Sequence, residues 1–270
     1  MKISNKKILI QYTISIAILF IIFMNFNLKK IETANFYFNV EWFFYITLTM
    51  IITFALRAWR WQYLMNNETQ MVSFISSFKI FLVGNSLNMV MPGGIGDIAK
   101  SYFGYAWSGI KERMITVSLF DKMIGVASLF FISFFSYYYQ RDSEILIAGF
   151  LCLFPLIIIA FGKKLFEQKN IYKLIFKINS RILKQVSFDD LISNLNFSFL
   201  KISVSLIMSI IAWFFTYALL YLSFDSLNLN ISFMQVMVYA PVLALIRMFP
   251  FTLNGIGTDE AAIIYFFSNY

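Results

Sequence analysis

The chain has 270 residues, 60% of them hydrophobic and only 13% charged, with a mean hydropathy of +0.72; soluble domains are nearer half apolar and a quarter charged, so a soluble globular protein is excluded. There is no histidine and one cysteine, Cys152, which removes His-based metal sites, Ser–His–Asp triads, histidine proton shuttles and any intrachain disulfide. The net charge of +8 lies between apolar runs, where it sets membrane orientation instead of marking a nucleic-acid surface.

The apolar runs are long and unbroken, without the alternation of a membrane barrel, so the fold class is all-α: a polytopic helical membrane protein. The first run, Ile8 to about Asn27, follows Lys2, Lys6 and Lys7. It is long for a signal peptide and has no small-residue cleavage site, and it reads as a retained helix. Runs at 42–64, 114–138, 145–162 and 202–224 are each long enough to cross about 30 Å of hydrocarbon. A further apolar region at 231–249 is followed at once by PFTLNGIGTDE. About six spanning helices are expected. Cys152, inside such a run, reads as a small hydrophobe.

Positive charge orients these helices. Lys2, Lys6 and Lys7, then Arg57 and Arg60, then a connection at 163–201 with eight Lys/Arg against three acids all belong on the cytoplasmic side, which puts the N-terminus inside. In that connection Lys169, Lys173, Lys177 and Arg181 recur every fourth residue opposite Ile171, Leu174, Ile175, Ile178 and Ile182. That is a basic amphipathic helix suited to an anionic leaflet.

The segment between the second helix and 114–138 must then begin and end on one side. Its centre reads NSLNMVMPGGIGDIAKSY. A re-entrant hairpin fits. One arm, Ile80–Met91, would be about 18 Å long and the other, Asp97–Trp107, about 16 Å. They are joined by a turn in which Pro92 lacks a donor and Gly93, Gly94 and Gly96 permit unusual dihedrals. The pattern recurs: PGGIGD at 92–97 and PFTLNGIGTDE at 250–260 both run Pro, Gly-Ile-Gly, carboxylate. A second hairpin over 231–270 would enter from the opposite side. Two opposed broken elements form a weak inverted repeat, the arrangement of transporters whose site lies where the breaks meet.

Several side chains then have two readings each. Asp97 and Lys100 form either an interfacial i, i+3 salt bridge or a charged pair facing a polar path. Asp259 and Glu260 either cap a helix start or, in the case of Glu260, bind a cation or pair with Arg247 or Lys100. Arg247 either snorkels to the surface or meets a phosphate. Asp121 and Lys122 either anchor helices or serve the path. Asn85 and Asn88 share one face, as interhelical glue or as headgroup contacts. The glycines, Gly255 and Gly257 included, shape the backbone, and their amides can hold an anion.

Four motifs in order carry a resemblance. They are Arg57-Ala-Trp-Arg60-Trp61; Asn88 through Pro92 to Gly96-Asp97-x-x-Lys100; Asp121-Lys122-x-x-Gly125; and Pro250 through Asn254-Gly255-Ile256-Gly257 to Glu260. The chain resembles the lysylphosphatidylglycerol synthase transmembrane-region family, also called flippase-like proteins. Lys100 and Lys122 stand where that family usually has arginine, and Asn254 where it has glycine. The resemblance implies movement of a phospholipid or lipid-linked glycan across the cytoplasmic membrane in cell-envelope synthesis. It implies a substrate path lined by Asn85, Asn88, Pro92, Gly93, Gly94, Gly96, Asp97, Lys100, Asp121, Lys122, Arg247, Pro250, Asn254, Gly255, Gly257 and Glu260. Known members add a soluble aminoacyltransferase domain. The longest non-membrane stretch here, 163–201, is too short for one, so residues 1–270 read as a single transmembrane domain, a transporter and not an enzyme, with no cofactor.

Two rival readings stay open. One is an intramembrane transferase acting on a lipid phosphate with Asp97 or Glu260 as base. The other is an accessory partner that holds a glycosyltransferase or lipid-synthesis enzyme through the basic 163–201 face.

Overall fold

The computed structural model describes residues 5–24, 40–67, 71–90, 96, 100–104, 111–140, 145, 147, 149–152, 197–248, 252 and 255–268. Seven helices organise them: α1 (Asn5–Met24), α2 (Val40–Met65), α3 (Phe74–Val90), α4 (Lys111–Gln140), α5 (Phe199–Ser226), α6 (Phe233–Met248) and α7 (Thr258–Phe267). The protein is an all-α polytopic membrane protein. Three helices, α2, α4 and α5, are long and apolar enough to cross a bilayer, while Leu9–Met24 and Phe233–Arg247 are shorter apolar helices. Of the expected helix at 145–162, only residues 145, 147 and 149–152 are described, and these are helical. The amphipathic part of 163–201 lies outside the described residues.

The central helix is α4. In its most apolar window 61% of residues are buried, against 11% in α2 and 28% in α5, so α2 and α5 face lipid and α4 faces protein. Three apolar clusters converge on it or beside it. Trp61, Leu64, Ile80, Met114, Phe120 and Ile124 join α2, α3 and α4. Val126, Leu129, Ile132, Cys152 and Ala244 join α4 to α6 and to the helical residues near 152. Tyr217, Phe224, Val236, Ala240, Ala262 and Phe267 join α5, α6 and α7.

Paired residues fix the directions. Arg113 Nε donates to Met65 O (3.0 Å) and the Lys201 ammonium donates to Asn66 O. The end of α2 therefore meets the starts of α4 and α5, and two cations cover carbonyls that a helix end leaves unpaired. Asn66 also ties down the next segment: its Oδ1 accepts from Val72 N (2.7 Å), and Gln62 Nε2 donates to Val72 O (2.8 Å). So α2 runs antiparallel to α4 and α5, as the charge pattern requires, and α3 starts at the same end.

The first hairpin is present. Gly96 lies so close to α3 that a Cβ there would overlap Gly84 O and stand 2.6 Å from Asn88 N. Further along, Lys100 Nζ sits over the Phe81 ring (5.2 Å) and Ser101 Oγ donates to Met114 O (3.2 Å). The chain thus returns along α3 to the end where α4 begins. The expected arm Ile80–Met91 needs correction: α3 begins at Phe74, because Ser73 Oγ accepts from Ser76 N (3.2 Å) and starts the helix there. With 17 residues the arm is about 26 Å long.

The second hairpin is α6–α7, entering from the opposite end, where α5 finishes. Tyr239 stacks on Phe266 (4.6 Å) near its base, and Arg247 pairs with Asp259 near its tip. Pro241 lies inside α6 and cannot donate to Met237 O. Ser136 Oγ of α4 supplies that bond instead (3.0 Å), and Tyr217 Oη donates to Ala240 O (2.5 Å). Broken main-chain bonding at membrane depth is thus satisfied by neighbouring side chains. Gly255 and Gly257 have φ of +88° and +90°, a region closed to most side chains. At Gly257 the turn is covered by Ser15 and Ile18 of α1.

The Gly96 contact is testable. Gly96→Val forces a side chain into α3 backbone and is expected to cost about 3 kcal/mol, at the upper end of overpacking effects. Thermal unfolding of purified protein should show a lowered midpoint, with Ser86→Ala, on the exposed side of α3, unchanged.

Candidate functional site

Polar side chains converge where α2, α4 and α5 pack together. Arg60 and Asp121 form a buried ion pair, Nε to Oδ1 at 2.6 Å, with side chains 9% and 4% exposed. Arg60 Nη1 also donates to Ser209 Oγ (2.5 Å), and that hydroxyl donates to Ser205 O (2.7 Å). Trp61 Nε1 donates to Ser118 Oγ (3.1 Å). One guanidinium therefore clasps three helices. A charge at this depth persists only when paired and hydrogen-bonded, and here both conditions hold.

One turn away, Arg57 is half-buried. Its Nη2 donates to Thr216 Oγ1 (2.9 Å), and its guanidinium lies 5.0 Å from the centre of the Trp213 ring. Thr216 Oγ1 already donates to Ala212 O (2.7 Å), so it accepts from Arg57. Trp213 is itself fixed: its Nε1 donates to Gly125 O (2.8 Å), and it stacks on Tyr217 at 5.6 Å.

The tip of the second hairpin adds a third guanidinium. Arg247 Nε and Nη2 both reach Asp259 Oδ2, at 2.6 and 2.5 Å, and the Arg247 side chain is 53% exposed. Arg57 lies within electrostatic range of Arg60, Arg247 and Asp121, and Tyr217 within range of Arg57, Arg247 and Asp259. These groups form one charged cluster. Among the described residues no three His, Cys, Asp or Glu gather as a metal site would need. Glu260 acts on Asp259 as well, so three guanidiniums and three carboxylates lie in this region.

The sites expected from sequence are distributed as follows. Asp121 is inside, on Arg60, in the helix-anchoring role. Lys122 is on the exposed side of α4, so the two neighbours part. Arg247 pairs with Asp259, and Glu260 Oε2 instead accepts from Gly257 N (2.7 Å), the helix-capping role. Gly255 and Gly257 form the turn before α7. Asn85 and Asn88 lie on α3, with Gly96 packed against Asn88 and Lys100 buried against Phe81 and Gly84. Pro92, Gly93, Gly94, Asp97, Pro250 and Asn254 lie outside the described residues. Arg57 and Arg60 entered the sequence reading as orientation charges and as a motif, not as site residues. The signal for them was on α5, where Ser205, Ser209 and Thr216 share one helical stripe in an otherwise apolar helix.

The architecture is that of a polytopic helical membrane protein with two opposed hairpins and a charged seam between its crossing helices. The family model described as lysylphosphatidylglycerol synthase TM region matches residues 8–270, and the chain belongs to that family. No curated protein and no solved structure matches it.

The Arg60–Asp121 pair should behave as a structural clasp. Asp121→Asn or Arg60→Gln leaves a buried charge without its partner and should destabilise by about 3–5 kcal/mol. The double variant Arg60→Gln/Asp121→Asn should lose less than the two single losses together. Thermal midpoints of the four purified proteins measure the coupling.

Proposed function

We propose that this protein moves the polar headgroup of a phospholipid or lipid-linked glycan across the cytoplasmic membrane, in cell-envelope synthesis. The observation that supports this reading is the charged seam: guanidinium and carboxylate groups of membrane-crossing helices and a hairpin tip gathered beside an outer surface rich in exposed Phe, Ile and Leu. A headgroup would follow the polar side while its acyl chains stay in lipid. Such a path lowers the penalty of carrying charge through hydrocarbon.

In this reading the N-terminus and the end of α2 are cytoplasmic, with Arg113 and Lys201 beside them, in keeping with the positive-inside rule. The basic face of 163–201 rests on the anionic leaflet. Asp97 and Glu260, each following a Gly-Ile-Gly turn, are the candidates for coupling a proton or cation, with Asn85, Asn88, Lys100 and Arg247 lining the route.

The experiment is lipid exchange in liposomes. Purified protein is reconstituted with fluorescent lipids of several headgroups, and an impermeant quencher reports leaflet exchange. Wild type is expected to accelerate exchange of at least one headgroup class. Asp97→Asn and Arg247→Gln should slow it about tenfold or more, equivalent to about 1.4 kcal/mol in the barrier. Exchange no faster than in protein-free liposomes, for every headgroup tested with folded protein, overturns the proposal.

A further inference from the structure

The tip of the second hairpin sets one guanidinium against two carboxylates. Arg247 Nε and Nη2 both bond Asp259 Oδ2, at 2.6 and 2.5 Å, and Glu260 lies within electrostatic range of Asp259. The two acids are held differently. Glu260 is engaged as a helix cap, its Oε2 accepting from Gly257 N (2.7 Å). Asp259 is bonded through one oxygen. Its Oδ1 is buried, and among the described residues nothing donates to it. An ionised carboxylate is acceptor-only, with lone pairs on both oxygens. Leaving one oxygen buried without a donor penalises the charged form.

The backbone keeps that oxygen in place. Asp259 N donates to Gly255 O (2.7 Å). Thr258 Oγ1 donates to the same carbonyl (3.0 Å) and so accepts from Thr252 Oγ1 (3.0 Å). Gly255 has φ of +88°, and a Cβ there would stand 2.7 Å from Asp259 Oδ1, so the carboxylate rests on a turn that glycine leaves open. Arg247 is the looser member of the pair: its side chain is 53% exposed, against 15% for Asp259. When the pair parts, the arginine moves outward and the carboxylate stays. A buried carboxylate without its guanidinium, beside a second acid, favours the protonated form.

We infer that Asp259 Oδ1 is a proton-binding site and that protonation there frees Arg247. This rests on the coupled-path reading, and it moves the coupling role at this hairpin from Glu260 to Asp259. In the step, one proton passes from water to Oδ1 and the carboxylate becomes a neutral carboxyl. Arg247 keeps its charge and loses the attraction that held it. The ionisable groups around the site are Arg247 of α6, Glu260 of α7 and Tyr217 of α5. At Gly257, α1 meets the turn through Ser15 and Ile18, neither of which titrates. The ion pair exists only while Asp259 is ionised. Its coupling is therefore present at higher pH and lost as pH falls through the titration of Asp259.

Two measurements on full-length protein in nanodiscs test this without transport. Infrared difference spectra between near-neutral and mildly acidic buffer should show a protonated-carboxyl band that is lost in Asp259→Asn and kept in Glu260→Gln. In Arg247→Gln the band should appear at higher pH, because the cation that favours the ionised form is gone. A double-mutant cycle on thermal midpoints, with Arg247→Gln, Asp259→Asn and the double variant, should show coupling near neutral pH and its loss in mildly acidic buffer.

A band lost in Glu260→Gln and kept in Asp259→Asn overturns the inference, and so does coupling that pH leaves unchanged. Should Asp259→Asn not fold, the other two variants still decide: a band lost in Glu260→Gln, or one that does not move in Arg247→Gln, overturns it. Absent leaflet exchange with band and coupling as expected defeats the transport reading alone. Intact exchange with pH-independent coupling defeats this inference alone.

Discussion

The contact between Arg60 and Asp121 is the constraint on which the packing of this protein depends. In lipid, helices gain little from burying apolar surface against one another, since the tails outside are as apolar as the side chains. Direction and register must come from specific contacts. The guanidinium of α2 holds the carboxylate of α4 and the Ser209 hydroxyl of α5 at once. Above and below it, Trp61–Ser118 and Arg57–Thr216 repeat the theme. Sliding any of the three helices by one turn would leave a charge in hydrocarbon without a partner, so one alignment is selected.

That alignment places the two hairpins. Because the end of α2 meets the starts of α4 and α5, the segment between α2 and α4 has nowhere to go but in and back, and Gly96 allows its arms to touch. The segment after α5 begins at the other end and folds back through Pro241 and the Gly255–Gly257 turn. Opposed breaks are a product of where three crossing helices stop. The tip of α6–α7 is itself held by the Arg247–Asp259 ion pair.

Much of this was legible in the sequence. The spans α2, α4 and α5 lie within three residues of their apolar runs, because continuous hydrophobicity is a local property. The start of α3 was not: the expected arm began at Ile80, whereas the helix starts at Phe74 because Ser73 accepts from Ser76 N. Adjacent residues also mislead. Asp121 and Lys122 read as a unit, yet neighbours on a helix are about 100° apart, and one faces the seam while the other faces outward. The pairing of Arg247 with Asp259 and not Glu260 depends on the conformation of a glycine turn, which composition does not specify. Arg57 was hidden for another reason: its environment, Thr216 and Trp213, comes from α5, nearly 160 residues later in the chain, and only tertiary contact brings it into view.

The packing of α1 on the Gly257 turn has a consequence for how the molecule is made. Ser15 and Ile18 belong to the earliest described helix, and the turn they cover belongs to the last. During synthesis α1 enters the bilayer long before α7 exists, so this contact can form only after the intervening helices have been made. Closure of this contact is therefore a late event joining the first and last described helices, with the central α2–α4–α5 unit already in place to receive it.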